Sequence, residues 1–192
     1  MTASSLDWKR HPVVSELLAL APEMPLDAGR PVAAVEARLS ALAAEDLFAP
    51  QPVSDPAMAR CCLAGLWLRF NFLDQSHRIS QGIPTPSGSY WHGMLHRREG
   101  DYWNSKYWMR RVGTHPVFQP LTLEARQLCE TLGSDPHSEY LRRQTRWDPF
   151  KFVDLVASCV SGTCQSVSLV QQIQAREWEL LFDYCYRHAY RR

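Results

Sequence analysis

A short stretch near the middle of the chain combines two histidines and a carboxylate at helical spacing. His92, His96 and Glu99 fall at positions i, i+4 and i+7. At about 100° per residue, this spacing puts the three side chains on one side of a helix. Two imidazoles and a carboxylate on one face form a donor set that suits Zn²⁺ or Fe²⁺, with positions left for water or a substrate.

Two further histidines flank this stretch and could complete a site. His77 ends the apolar helix that precedes it, and His115 follows it. Asp74 or Asp101 could orient an imidazole through its second nitrogen. We predict these catalytic residues: His92, His96, Glu99 and His77. We predict these metal ligands: His92, His96, Glu99 and His115.

Two metal-free interpretations remain open for the same residues. In the first, His92 or His96 is a general base held by a carboxylate, because histidine exchanges protons near neutral pH. In the second, the stretch is a buried structural network. There the carboxylates of Glu99 and Asp101 pair with arginines from Arg97, Arg98, Arg110 and Arg111.

Polar and aromatic side chains after the histidines predict a surface for a small polar or anionic ligand. Asn104, Tyr107 and Arg111 share one side of a helix, at i, i+3 and i+7. Arginine binds carboxylate or phosphate through two parallel hydrogen bonds. The predicted substrate-binding residues are Arg97, Asn104, Tyr107, Trp108 and Arg111. If this side faces solvent instead, it is a surface for a partner protein.

Turn and capping signals place the histidines in a helical hairpin. Gly100 ends the first helix, Asp101 caps the second, and Gly113 ends it. The Asp55-Pro56 pair begins an earlier helix that we expect to continue to His77. That helix is apolar around most of its circumference, which predicts a central position in the fold.

The whole chain predicts an all-α protein. Its 192 residues are 45% hydrophobic and 21% charged, and no segment shows sustained strand alternation. We expect a single-domain bundle, residues 1–192, of about six to eight helices with the hairpin at its centre. Residues 1–30 are predicted to be irregular, and residues 31–192 to form the helical core.

Net charge and cysteine content limit the partners and the cellular compartment that we expect for the protein. A net charge of +1 makes nucleic acid an unfavourable partner, despite a small basic patch at Arg142, Arg143 and Arg146. Six cysteines without a Cys-x-x-Cys motif predict buried, reduced thiols in an intracellular protein. No apolar run approaches the length needed to span a membrane, so we expect a cytoplasmic protein. Tryptophans that look exposed suggest a homodimer surface: Trp8, Trp103 and Trp147.

The hairpin resembles a single tetratricopeptide unit over about residues 87–116. The resemblance rests on Gly93, Gly100-Asp101-Tyr102, Ser105, Met109, Val112 and Pro116. It implies antiparallel helices, and it implies that His92 and His96 occupy packing positions of the first helix and point into the domain. No second copy at a matching period is present. More loosely, the chain looks like an uncharacterised all-helical family to which no activity is attached.

Together these patterns predict a small helical enzyme, metal-dependent, that acts on a small polar or anionic molecule at the residue 90–115 hairpin. The cofactor would be Zn or Fe. The alternative is a tetratricopeptide-like scaffold that binds a protein or peptide, with the histidines as packed structure.

Overall fold

The computed structural model describes residues 7–190, which fold into ten α-helices and contain no strand. The all-α prediction is therefore confirmed for this part of the chain. Two short 3₁₀ segments, Trp8–Arg10 and Ala44–Leu47, supplement the helices. The helices are α1 (Pro12–Leu18), α2 (Ala33–Ser40), α3 (Pro56–Arg69), α4 (Leu73–Ser80), α5 (Pro86–Glu99), α6 (Tyr102–Val112), α7 (Phe118–Leu132), α8 (Tyr140–Arg143), α9 (Pro149–Val160) and α10 (Val167–Tyr190).

Aspartate–proline and threonine–proline pairs begin three of these helices. Asp55 accepts hydrogen bonds from two backbone N–H groups at the start of α3, and Asp148 does the same for α9. Thr85 caps α5 through the N–H of Gly88. Proline follows each cap, where its missing N–H costs no helical hydrogen bond.

The central apolar helix ends earlier than the sequence predicts, and this correction moves His77. Helix α3 stops at Arg69, and α4 begins separately at Leu73. Between them Asn71 adopts a left-handed conformation with φ of 66°. Asparagine tolerates this conformation better than most residues because its short side chain bonds locally. The chain therefore reverses here, and α4 packs back against α3 and α5.

Arg98 stabilises this chain reversal from the opposite helix. Its guanidinium donates to the carbonyl of Leu68 at 2.8 Å and to the side-chain oxygen of Asn71 at 2.6 Å. It also donates to the carbonyls of Asp27 and Ala28. The side chain is 1% exposed. The carbonyl of Leu68, in the last turn of α3, thus accepts a hydrogen bond from a buried arginine.

Helix α3 lies in the middle of the larger hydrophobic core, as its all-round apolar sequence predicts. Gly65 allows Trp91 of α5 to approach so closely that an added Cβ would lie 2.9 Å from the indole. Trp178 of α10 donates its indole N–H to the Gly65 carbonyl at 2.7 Å. Helices α3, α5 and α10 therefore meet at one glycine.

Helices α5 and α6 form the predicted antiparallel hairpin. Gly100 ends α5 with φ of 80°, and the side chain of Asp101 caps α6. At Gly93 the two helices touch, because Ser105 donates its hydroxyl to the Gly93 carbonyl at 2.7 Å and Met109 lies against the same residue. The hairpin follows from this packing, whereas membership in the tetratricopeptide family stays unconfirmed.

Helices α7, α9 and α10 pack around a second hydrophobic cluster that includes Trp147. Trp147 and Trp8 are 6% and 3% exposed, so the prediction that they mark a dimer surface is wrong for both. Each lies among aromatic rings of the core. Trp103, in contrast, is 74% exposed. All six cysteines are buried and unpaired, as predicted.

Candidate metal centre

Three histidines converge between α4 and α5. His77 comes from α4, and His92 and His96 lie on one side of α5. One nitrogen from each ring lies within 4.8 Å of the nitrogens of the other two. The ring centroids are 4.5 Å, 4.7 Å and 5.3 Å apart. This group could hold a metal ion.

The chain brings the third histidine to the site by folding α4 back from α3. A short loop then joins α4 to α5, and it is held tightly at Gly88. A Cβ on Gly88 would lie 2.4 Å from the carbonyl oxygen of Ile83, so only glycine fits there. The C-terminal turn of α4, which carries His77 and Ser80, is thereby fixed beside the first turns of α5.

The outer nitrogens of the two buried histidines each have a hydrogen-bonding partner. Nδ1 of His92 lies 2.8 Å from the hydroxyl oxygen of Ser80. Nδ1 of His96 lies 2.8 Å from Oε2 of Glu99. The Ser80 contact fixes the ring orientation of His92, and the Glu99 carboxylate, which only accepts, also fixes the tautomer of His96. The other nitrogen of each ring is then the candidate metal ligand. In both rings that other nitrogen is Nε2, and in His96 it lies 3.1 Å from the side-chain nitrogen of Asn104, which a metal ion would have to displace.

Burial keeps these imidazoles neutral. Burial and the neighbouring imidazoles of His96 and His77 lower the pKa of His92 to about 3. Burial also lowers the pKa of His96, although the Glu99 carboxylate opposes the shift. Neutral imidazole is the form that binds a metal, so protons compete weakly for the site near neutral pH.

Helix α6 closes one side of the histidine group. The indole of Trp108 lies against the His92 ring, with centroids 4.1 Å apart. The side-chain amide of Asn104 lies 3.1 Å from Nε2 of His96, at the edge of the shared space. The guanidinium of Arg111 lies 5.1 Å above the Trp108 ring, and the Tyr107 ring meets that indole edge-on. Two of the five predicted substrate-binding residues, Asn104 and Trp108, therefore contact the histidines, and Tyr107 and Arg111 contact Trp108.

Two predicted metal ligands lie elsewhere. Glu99 lies behind His96 as its hydrogen-bonding partner, outside the group of converging nitrogens. His115 contacts the hydroxyl of Ser87 through Nε2 and the N–H of Val117 through Nδ1. It lines a separate cavity of about 750 Å³ with Trp147. The third imidazole of the group comes from His77.

Arg97 lies away from the histidines, so the structure does not place it among groups that could bind a substrate. Its guanidinium contacts Glu177 at 2.5 Å and Gln174 at 3.1 Å, and both side-chain ends of the ion pair are fully buried. Glu177 also accepts a hydrogen bond from the Tyr90 hydroxyl, at 2.9 Å. Arg97 and Arg98 thus belong to buried structural networks. Their partners include Glu177, Gln174 and backbone carbonyls, and not the predicted Glu99 and Asp101.

One residue of the site was not predicted from the sequence. Ser80 is fully buried and holds His92. The available signal was its position one helical turn after His77, on the same side of α4. Asp101, which we expected to orient an imidazole, instead caps α6 by accepting from the N–H of Asn104. Asp74 is exposed in the first turn of α4.

Among the helices of residues 7–190, none has both the length and the apolar character needed to cross a bilayer. Comparisons with protein-family models, with curated proteins and with solved structures gave no match for the chain.

Proposed function

We propose that the chain is a small helical metalloenzyme with a single metal ion bound by His77, His92 and His96. The observation that carries the proposal is the convergence of one nitrogen from each ring to within 4.8 Å. Buried imidazoles are normally satisfied by separate partners. Here Ser80 holds Nδ1 of His92 and Glu99 holds Nδ1 of His96, and the three rings still bring one nitrogen each to within 4.8 Å of one another.

The donor set favours Zn²⁺ over Fe²⁺. Three protein ligands with one open position are typical of catalytic zinc, whereas non-haem iron sites commonly use two histidines and a carboxylate. The carboxylate that contacts the group, Glu99, is engaged by Nδ1 of His96. Binding at about 2.0–2.1 Å requires the three nitrogens to be about 3.3 Å apart, so the rings would move inward by roughly an ångström.

When bound, such an ion supplies a Lewis acid and lowers the pKa of a coordinated water to about 7. The chain supplies the rest. Glu99 and Ser80 fix the ring orientations, and Trp108 shields the His92 side from water. Arg111 and Asn104 are available to position a small polar or anionic substrate beside the metal. Glu99 accepts the Nδ1 proton of His96 and so increases the basicity of that ligand.

A metal-free proton-transfer site is the second candidate. The His96–Glu99 contact of 2.8 Å supports it, because a carboxylate-held imidazole is the usual arrangement for a general base. The scaffold alternative receives less support. The buried arginines of the hairpin contact Glu177, Gln174 and backbone carbonyls instead of holding the histidines.

Hydrolysis of 4-nitrophenyl acetate tests the enzyme proposal, since the ester reports an activated water without demanding a particular substrate. The zinc-loaded protein should hydrolyse the ester faster than the metal-free protein. His92→Ala should remove the zinc-dependent part of the hydrolysis rate, and His115→Asn should retain it. Equal rates for the zinc-loaded wild type and His92→Ala would contradict a catalytic centre. A rate that depends on His96 and Glu99 but not on zinc would select the metal-free candidate.

A further inference from the structure

The outer side of α6 carries an exposed aromatic surface that leads to the histidines. Trp103, Tyr107 and Arg111 are spaced four residues apart and lie in one row along the helix. Trp103 is 74% exposed and Tyr107 is 40% exposed. Their rings are parallel to within 12°, with centroids 6.4 Å apart. Two large, nearly parallel rings on one helix form an aromatic surface that is open to solvent.

Arg111 links this surface to the candidate metal centre. Its guanidinium lies above the ring of Trp108, and the same indole contacts His92. It also lies 6.0 Å from the Tyr107 ring and makes a long hydrogen bond of 3.5 Å to the Tyr107 hydroxyl. Within the described part of the chain these contacts are with aromatic groups, so the cation is free to pair with an anion.

The chemistry of the row defines a class of ligand. A carboxylate accepts two parallel hydrogen bonds from a guanidinium, and an aromatic ring stacks on other aromatic rings. A molecule with both parts can place its carboxylate at Arg111, beside the Trp108 ring that contacts His92, and lay its ring along Tyr107 and Trp103. A small aliphatic acid would satisfy only the first contact.

We infer that the substrate of the centre is an aromatic carboxylate, recognised by Arg111 through its acid group and by Tyr107 and Trp103 through its ring. This inference rests on the proposed function for the identity of the site. The recognition surface itself belongs to α6 and does not require the metal.

Paired titrations with benzoate and acetate test the inference. Ligand binding is followed through the visible absorption of cobalt-loaded protein, and separately by calorimetry on metal-free protein. Benzoate should bind about fivefold more tightly than acetate in both forms, the advantage of one aromatic contact. Trp103→Ala should reduce this ratio towards one. Arg111→Gln should weaken the binding of both ligands about tenfold, because a charge-assisted hydrogen bond is lost. Arg110→Gln, an exposed change at the adjacent position, should alter neither.

The outcomes separate the two proposals. If the protein takes up no cobalt but metal-free protein still prefers benzoate through Trp103, the metal centre fails and the recognition surface stands. If cobalt binds but benzoate and acetate bind equally, or neither binds, the aromatic-carboxylate inference is overturned and the centre stands. A benzoate preference that survives Trp103→Ala also overturns it, and would leave the exposed ring as a contact for another protein.

Discussion

Nδ1 of His96 lies 2.8 Å from Oε2 of Glu99, one helical turn further along α5. This contact explains why a carboxylate at i+3 from a histidine need not be a metal ligand itself. It holds the imidazole through Nδ1, and the ring remains in the group with His77 and His92. The pairing of a histidine ligand with an outer carboxylate is a common feature of zinc sites.

Glu99→Gln should weaken zinc binding about tenfold or more, the effect of losing an outer carboxylate partner. The amide keeps a hydrogen-bonding group but removes the charge that increases the basicity of His96. Competition with a chromophoric zinc chelator measures the change. Glu36→Gln is the matched control, because Glu36 is an exposed carboxylate on α2. Unchanged affinity in Glu99→Gln would show that Glu99 does not support a ligand.

Arg97→Met should destabilise the fold by about 3–5 kcal/mol, because it leaves Glu177 buried without its cation. The double variant Arg97→Met with Glu177→Leu should lose less stability than the two single variants lose in sum. Urea unfolding of the four proteins measures the coupling. Additive losses would mean that the pair does not interact, and a wild-type stability for Arg97→Met would restore Arg97 as a candidate for binding substrate.

Arg98→Gln should cost several kcal/mol of stability, since the buried guanidinium donates both to the carbonyl of Leu68 and to the side-chain oxygen of Asn71 at the chain reversal. Arg110→Gln, on the exposed side of the same hairpin, should change stability by less than about 0.5 kcal/mol. Thermal or urea unfolding compares the two. If both arginines prove equally replaceable, the reversal between α3 and α4 is not held by Arg98.

The stability of metal-free protein should fall with acid in a way that depends on His115. Burial, and secondly the charge of His188, lower the pKa of His115 to about 4. The unfolded chain, with a pKa near 6.5, therefore takes up the proton first as the pH falls, and the fold loses stability between those two values. The loss from pH 7 to pH 5 is about 2 kcal/mol.

His115→Gln should lose less stability than the wild type over that interval, by about the same 2 kcal/mol. Urea unfolding at pH 7 and pH 5, with a chelator present, gives the comparison. His137→Gln is the control, because His137 is exposed and should keep the wild-type dependence. If His115→Gln and the wild type lose the same amount, the buried imidazole does not cause the acid sensitivity.

The sequence predicts those features that depend on neighbours along the chain. The α5–α6 hairpin follows from Gly100 and Asp101, and the shared direction of His92 and His96 follows from their i, i+4 spacing. Proline after an aspartate marks where α3 and α9 begin. Each of these is set by capping or helical periodicity within a few residues.

The remaining features depend on contacts between distant residues. The choice of His77 over His115 follows from the reversal at Asn71, which is stabilised by Arg98, 27 residues later. Arg97 could not be assigned to the core because its partner, Glu177, lies 80 residues further along the chain. Trp8 looks exposed in sequence but packs against Trp178 and Phe182 of the last helix.

Calorimetric titration with Zn²⁺ tests the central claim most directly. The account predicts one zinc ion per chain for the wild type. It predicts at least a hundredfold weaker binding for His77→Ala, His92→Ala and His96→Ala, a larger loss than that expected for an outer partner. His115→Asn should bind like the wild type. Absence of zinc binding in the wild type, or binding that survives each of the three alanine variants, would contradict a three-histidine metal centre.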